Sequence, residues 1–210
     1  MRDWPKDNVV SQYRRAVFLD RDGTINVDTH YPHAVEDLLM IPGATEALEI
    51  LAGLPLHIVI VSNQAGIPLG YFTKAQMSEF NGAIRSKIEQ AKGRIDAFYF
   101  CPYLEPKNLP PGVTAHECSK PSPGMLIEAS QDFGFDLAES FMVGDKTSDI
   151  AAGEKVGCVT ILVRTGKAGK EEGAVPVQPT HHAEDILDAA KIIQSYFEGS
   201  TQSNDPTQTL

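Results

Sequence analysis

Five short apolar runs punctuate this chain, and they stop at polar or turn-forming clusters. Ala16 to Leu19 (AVFL) is cut off by DRDGT, Leu56 to Val61 (LHIVIV) by SNQAG, and Phe141 to Val143 (FMV) by GDKTSD. Ile95 to Phe100 and Cys158 to Val163 complete the set. Continuous apolar runs of this length suit strands covered on both faces. Longer amphipathic stretches lie between them. Gly43 to Ala52 and Thr73 to Lys92 carry apolar residues at helical spacing, and in the second Met77, Phe80, Ile84 and Ile88 form the stripe of a helix lying on a sheet. Ser122-Pro123-Gly124 reads as a helix start, with Ser122 as N-cap and Pro123 in the first helical position. Asp145 to Val156 and Ala183 to Phe197 read as two further helices. Strands alternating with helices predict an α/β fold, a Rossmann-like doubly wound parallel sheet.

The chain has 210 residues, and 42% hydrophobic with 22% charged residues is an ordinary globular composition. We expect one domain over residues 1–198, a Cys- and His-containing loop at 101–121, and a disordered polar tail at 199–210. Eighteen Lys and Arg against 28 Asp and Glu give a net charge of −10. That balance speaks against nucleic acid or an anionic membrane as a partner, since both require a cationic footprint. It leaves a small phosphorylated substrate open, because a few local cations and a divalent metal can reverse the field inside one cleft. With no apolar run long enough for a span and no apolar core near the N-terminus, the reading is a soluble, cytoplasmic protein. Three cysteines, Cys101, Cys118 and Cys158, do not suggest a disulfide framework, so free or metal-bound thiols are expected. Cys158 reads as a core residue, and Gly166-Lys167-Ala168-Gly169-Lys170 as a flexible loop, its glycines wrongly spaced for a Walker motif.

The chemistry lies where the strands end. Asp20 and Asp22, Ser62 and Asn63, and Asp145 each follow directly on an apolar run, and strand C-termini in an open parallel sheet share the ligand-binding edge. Asp20 and Asp22 can divide the work of nucleophile and general acid/base. Asp145 adds a third carboxylate, and such an oxygen-rich set suits Mg²⁺. Ser62 and Asn63 offer a hydroxyl and an amide to a phosphate, although alone they also fit an Asx turn. Lys120, between the long loop and Pro121, could neutralise phosphate oxygens at the same edge.

Taken in order, hhhhDxDGT, hhhSN, a Lys-Pro before a helix and hhGDxxxD resemble the haloacid dehalogenase-like (HAD) phosphohydrolases, from about Ala16 to Thr165. DRDGTINVD, Tyr31-Pro32-His33, SNQAGI, KPSPGM and MVGDKTSDI are similar to the essentially capless members of subfamily IIIA, the heptose 1,7-bisphosphate phosphatases and the related histidinol-phosphate phosphatases. The resemblance implies a phosphatase acting through an aspartyl-phosphate. Asp20 would be the nucleophile and Asp22 the acid/base, while Ser62, Asn63 and Lys120 bind the phosphoryl group. Mg²⁺ would sit on Asp20, Asp145 and the main-chain carbonyl of Asp22, with Lys146 and Asp149 supporting them. It also implies a monomer and a structural zinc in the loop before the Lys. Cys101, His116 and Cys118 keep ligand chemistry there, but Tyr103 stands where a fourth ligand belongs, and closed zinc sites want four.

Two departures bear on the substrate. Heptose bisphosphate phosphatases typically carry Arg just before the motif Lys and a basic residue after SNQ; here these positions are Ser119 and Leu69. Neutral side chains cannot replace bidentate contacts to a second phosphate. Another small phosphomonoester, such as histidinol phosphate or a different sugar phosphate, therefore stays open as the substrate, as does a phosphate-binding module without turnover. His30, Tyr31 and His33 are candidates to line the substrate pocket.

Overall fold

The computed structural model describes residues 13–105, 108–109 and 114–198, so the expectation of a disordered 199–210 tail lies outside the described residues. Six strands, β1 (Ala16–Leu19), β2 (His57–Asn63), β3 (Ala97–Cys101), β4 (Phe141–Gly144), β5 (Val159–Val163) and β6 (His181–Ala183), form one parallel sheet in the order β3-β2-β1-β4-β5-β6. Helices α1 (Ala44–Ala52), α2 (Lys74–Gln90), α3 (Gly124–Phe133), α4 (Thr147–Glu154) and α5 (Ile186–Glu198) connect and cover them. The chain winds outward from β1 to β3, then returns to place β4 on the free side of β1. That reversal creates a switch point between β1 and β4, where Val17 of β1 is in register with Ile58 on one side and Phe141 on the other.

Successive strand residues face opposite sides, which divides the apolar runs into two cores. Val17, Leu19, Ile58, Ile60 and Phe141 pack against Leu48 of α1, Phe80 and Ile84 of α2, and Ile186 and Ile193 of α5. Ala16, Phe18, Val59, Val61 and Met142 pack against Met125, Leu126 and Ala129 of α3. Helix α4 shares this second face and lies on β4 and β5. The sheet is doubly wound, as the alternation predicts. The connection from β1 to β2 holds only a 3-10 turn at Val35–Asp37 and α1, and that from β2 to β3 only α2. Among the described residues, no inserted domain stands over the strand ends.

Local differences from the sequence reading have local causes. Helix α2 starts at Lys74 because Thr73 caps it reciprocally with Gln76, the Thr73 Oγ1 accepting from the Gln76 N–H at 3.3 Å. Helix α3 starts one residue later than expected, with Pro123 at the N-cap and no side-chain cap from Ser122. The Gly124 N–H instead donates to the carbonyl of Glu117 at 3.1 Å, tying the helix start to the long loop. The sixth strand, His181-His182-Ala183, is too short and too polar to register as an apolar run. Its partner β5 supplies the ladder that defines it.

Leu48 is fully buried between α1 and the sheet, whereas Leu39 is 60% exposed. Leu48→Ala should lower unfolding free energy by about 3 kcal/mol and Leu39→Ala by less than about 0.5 kcal/mol, as read from urea denaturation midpoints. Equal effects would contradict this placement of the core.

Candidate active site

Asp20 follows β1 and Asp145 follows β4, so the switch point brings two carboxylates 125 positions apart in the chain to one spot. The Asp20 N–H donates to the Val143 carbonyl at 2.9 Å, extending the β1–β4 ladder to the base of the side chain. Lys120 arrives from the long loop after β3. Its buried ammonium donates to Asp20 Oδ1 at 2.7 Å and to the Val61 carbonyl at 2.8 Å, and pairs with Asp149 Oδ1 at 2.7 Å. Asn63 at the end of β2 grips the Lys120 main chain from both sides. Its Nδ2 donates to the Lys120 carbonyl at 3.1 Å, and its Oδ1 accepts the Lys120 N–H at 3.0 Å. The Asn63 side-chain amide is thus spent on placing Lys120. Ser62 is buried beside it, its Oγ accepting from Gln64 Nε2 at 2.7 Å.

Asp22, Asn63, Lys120 and Lys146 line a cleft of about 420 Å³, and Asp20 and Ser62 line a smaller recess at the same strand ends. His30 and Tyr31 also line the cleft, in consecutive left-handed conformations (φ 70° and 62°). His33 does not; its ring stacks on Phe72 with centroids 5.0 Å apart.

Three residues that the sequence reading passed over complete the site. Arg21 lies between two catalytic candidates yet is 1% exposed. Its guanidinium grips Asp22 in a fork, Nε to Oδ1 and Nη2 to Oδ2, both at 2.9 Å. It also donates to Asn81 Oδ1 at 3.0 Å and to the Pro32 carbonyl at 3.1 Å, and lies 4.9 Å from the Phe80 ring centroid. Asn26 and Gln64 add donors to Asp22 at 3.0 and 3.3 Å. A residue between two motif acids carries no sequence signal of burial; only its contacts with α2 reveal that it positions Asp22.

The electrostatics are those of a compact charge cluster. Burial pushes the Asp20 carboxyl up, but the Lys120 and Lys146 ammoniums outweigh it and hold Asp20 below the usual carboxylate value. Burial pushes Asp145 up to about 8, with the Asp20 and Asp149 charges adding to the effect. Asp149 is pushed up to about 6 mainly by burial. Burial opposes the charge of Lys120, yet Asp149 and Asp20 raise it above the ordinary lysine value.

Asp20 Oδ2 and Asp145 Oδ1 are buried with no hydrogen-bond partner among the described residues, and Lys146 Nζ stands 3.9 and 4.0 Å from them. One carboxylate oxygen from each of Asp20, Asp145 and Asp149 lies within 4.8 Å of the others. Uncompensated buried carboxylate oxygens are costly, and a hard divalent cation is the group that would satisfy them. Asp149 is already engaged: one oxygen pairs with Lys120, and the other accepts the Lys146 N–H at 3.0 Å. That leaves Asp20 and Asp145 as the donors that fit Mg²⁺.

Asp145 itself is clamped by glycines. A Cβ on Gly23 would meet Asp145 Oδ2 at 2.4 Å, and one on Gly166, where φ is +60°, at 2.1 Å. The Gly166–Lys170 segment, expected as a flexible loop, is pinned. The Lys167 N–H donates to Asp145 Oδ2 at 2.7 Å and the Gly169 N–H to the Asp145 carbonyl at 2.8 Å.

The reading of Cys101 and Cys118 as free or metal-bound thiols is corrected: they form a disulfide, with Cα atoms 5.4 Å apart. A pairing between the end of β3 and a loop residue 17 positions on depends on how the loop folds back, which spacing does not reveal. His116 lies against the pair and stacks on Tyr103, with centroids 3.9 Å apart. Cys158 is buried as expected, and burial pushes its thiol up to about 12.

A HAD-hydrolase-like family model matches residues 117–189. The chain is 40% identical over 162 residues to the D-glycero-β-D-manno-heptose-1,7-bisphosphate 7-phosphatase of Haemophilus ducreyi, covering 76% of this chain and 88% of the relative. It is 36% identical over 182 residues to the protein of the same name from Pasteurella multocida, covering 86% and 97%. Among solved structures, the D,D-heptose 1,7-bisphosphate phosphatase from B. bronchiseptica, complexed with magnesium and phosphate, superposes with a TM-score of 0.74 at 26% identity. That match covers 87% of this chain and 99% of the other.

Two outcomes follow from the clamped, buried Asp145. Gly166→Ala should raise the Mg²⁺ concentration needed for half-maximal stabilisation against heat by about tenfold, because the added Cβ displaces Asp145; an unchanged Mg²⁺ response would remove the clamp. In the metal-free protein, the raised Asp145 carboxyl holds a proton that the unfolded chain releases near its ordinary value of about 4. Its contribution to stability is therefore present at low pH and lost as pH rises through about 8. Relative to Asp145→Asn, wild type should lose unfolding free energy between about pH 4 and about pH 9, and Mg²⁺ should restore it. A pH-independent difference would refute the assignment.

Proposed function

We propose, for a chain that belongs to the D-glycero-β-D-manno-heptose-1,7-bisphosphate 7-phosphatase family of HAD-like hydrolases, that it removes one phosphate from a heptose 1,7-bisphosphate or a close sugar-phosphate analogue in the cytoplasm. It is a phosphomonoester hydrolase. The observation that carries the mechanism is the joint presence of an ionised, Lys120-bound Asp20 under the cleft and a rigidly held Asp22 on its wall. A phosphate-binding module needs only the first of these. A turnover enzyme also needs a positioned acid/base.

Asp20 attacks phosphorus; the P–O bond to the sugar breaks as a bond from Asp20 to phosphorus forms. Asp22 gives its proton to the departing sugar oxygen. Asp22 then takes a proton from the water that attacks phosphorus, releasing inorganic phosphate and the free Asp20 carboxylate. Lys120 neutralises phosphoryl oxygens, and Ser62 and the loop after it orient them. Mg²⁺, held by Asp20, Asp145 and the Asp22 carbonyl, would supply charge that offsets the phosphate dianion among so many carboxylates. Arg21 fixes Asp22 and touches no substrate.

The loop at 101–121 has a second reading in a reducing compartment, where thiols stay free. Cys101, His116 and Cys118 present ligand atoms within 4.8 Å of one another, so the reduced loop has three of the four ligands of a structural zinc site. Metal analysis of protein purified under reducing conditions should find about one zinc per chain; a content near zero overturns this reading.

Asp20→Asn should lower phosphate release from D-glycero-D-manno-heptose 1,7-bisphosphate by about a thousandfold or more while leaving the circular dichroism spectrum unchanged. A screen that adds histidinol phosphate and other sugar phosphates identifies the preferred substrate. Retained turnover in Asp20→Asn would dismiss the nucleophile assignment.

A further inference from the structure

The cleft is lined by four lysines, Lys120, Lys146, Lys167 and Lys170. Two are committed to the reacting end. Lys120 is buried against Asp20 and Asp149, and Lys146 stands over Asp20 and Asp145. The other two come from the pinned loop after β5. The Lys170 N–H donates to the Lys167 carbonyl at 2.9 Å, so both side chains leave one turn, and that turn is hydrogen-bonded to Asp145 through Lys167 and Gly169. The backbone from which both side chains extend is therefore held against Asp145.

Carboxylates share the mouth with the pair: Asp28, Glu105, Glu171 and Glu172 also line the cleft. Glu171 is occupied, its Oε1 accepting from the Thr147 N–H at 2.7 Å and from the Thr147 hydroxyl at 2.5 Å. Asp28 lies 3.8 Å from the Lys167 ammonium, a loose pair on a half-exposed side chain. Among the described residues, the Lys170 ammonium has no carboxylate partner. The positions where the family usually carries cations cannot do this work here. Ser119 is fully buried, and neither it nor Leu69 lines the cleft.

We propose that Lys167 and Lys170 form the subsite for a second phosphate on the substrate, the one that the reaction leaves in place. The role given by an arginine and a second basic residue at two other positions is thus moved to a different loop in this chain. This inference rests on the phosphatase reading above.

The test uses the full chain with Mg²⁺ and two ligands, D-glycero-D-manno-heptose 1,7-bisphosphate and D-glycero-D-manno-heptose 7-phosphate, which differ only in the second phosphate. Binding is measured by calorimetry in the Asp20→Asn background, so the subsite is read without turnover. The double variant Lys167→Met/Lys170→Met should reduce the preference for the bisphosphate by about tenfold or more. Lys170→Arg should retain it. With Asp20 intact, the same double variant should show the loss in KM rather than in kcat. A preference that changes by less than about twofold in the double variant, or no preference in the parent, overturns the subsite. Failure of the phosphatase reading looks different: the wild type releases no phosphate, while the binding comparison still reports on the lysines. Lys170→Met alone, with an unchanged far-ultraviolet spectrum, guards against a folding defect in the double variant.

Discussion

The ammonium of Lys120, 2% exposed and shared between Asp20 and Asp149, is the interaction on which the rest of the site depends. Buried charges persist only when paired, and removing one member of such a group typically costs about 3–5 kcal/mol because its partners are left uncompensated. This one joins the end of β1, the start of α4 and the loop that leads into α3. The loop can be long because its business end is fixed twice, by the ammonium and by the Asn63 amide clip on the Lys120 main chain. Together with the Lys146 ammonium, the same contact holds the Asp20 carboxyl below its usual value although burial pushes it up.

Around that triad the backbone has been brought as close as backbone can come. Gly23 and Gly166 allow two loops to press on Asp145, and the pinned turn at Lys167 follows from the second of them. Arg21 does the equivalent on the other side, where a guanidinium buried against Phe80 and Asn81 transmits the position of α2 to Asp22. An acidic chain can thus present a phosphate-binding cleft. Its net charge of −10 belongs to the whole chain, whereas four lysines line one opening.

How much of this was legible in the sequence varies with the range of the interaction that decides it. Strand β1 coincides with its apolar run, and α2 with its apolar stripe, because burial pattern is local. Strand β6 escaped notice because three residues with two histidines have no pattern; they are a strand only by pairing with β5. Asp20, Asp22, Ser62, Asn63, Lys120 and Asp145 were legible as candidates because each follows an apolar run or, for Lys120, precedes a helix, and the structure gathers all six. Arg21, Gln64 and Asn26 were not, because a polar residue in a turn is exposed far more often than buried, and what buries Arg21 is a helix some sixty positions away.

The sequence by itself determined the doubly wound sheet, the edge at which chemistry occurs and the acids that occupy it, since periodicity and strand ends are properties of neighbouring residues. Tertiary structure alone decided that Asn63 holds Lys120, that Cys101 meets Cys118, that Arg21 grips Asp22, and that Lys167 and Lys170 share a turn at the cleft. Those facts concern which side chains the folded backbone buries and turns toward one another, and neither closeness nor distance along the chain fixes that.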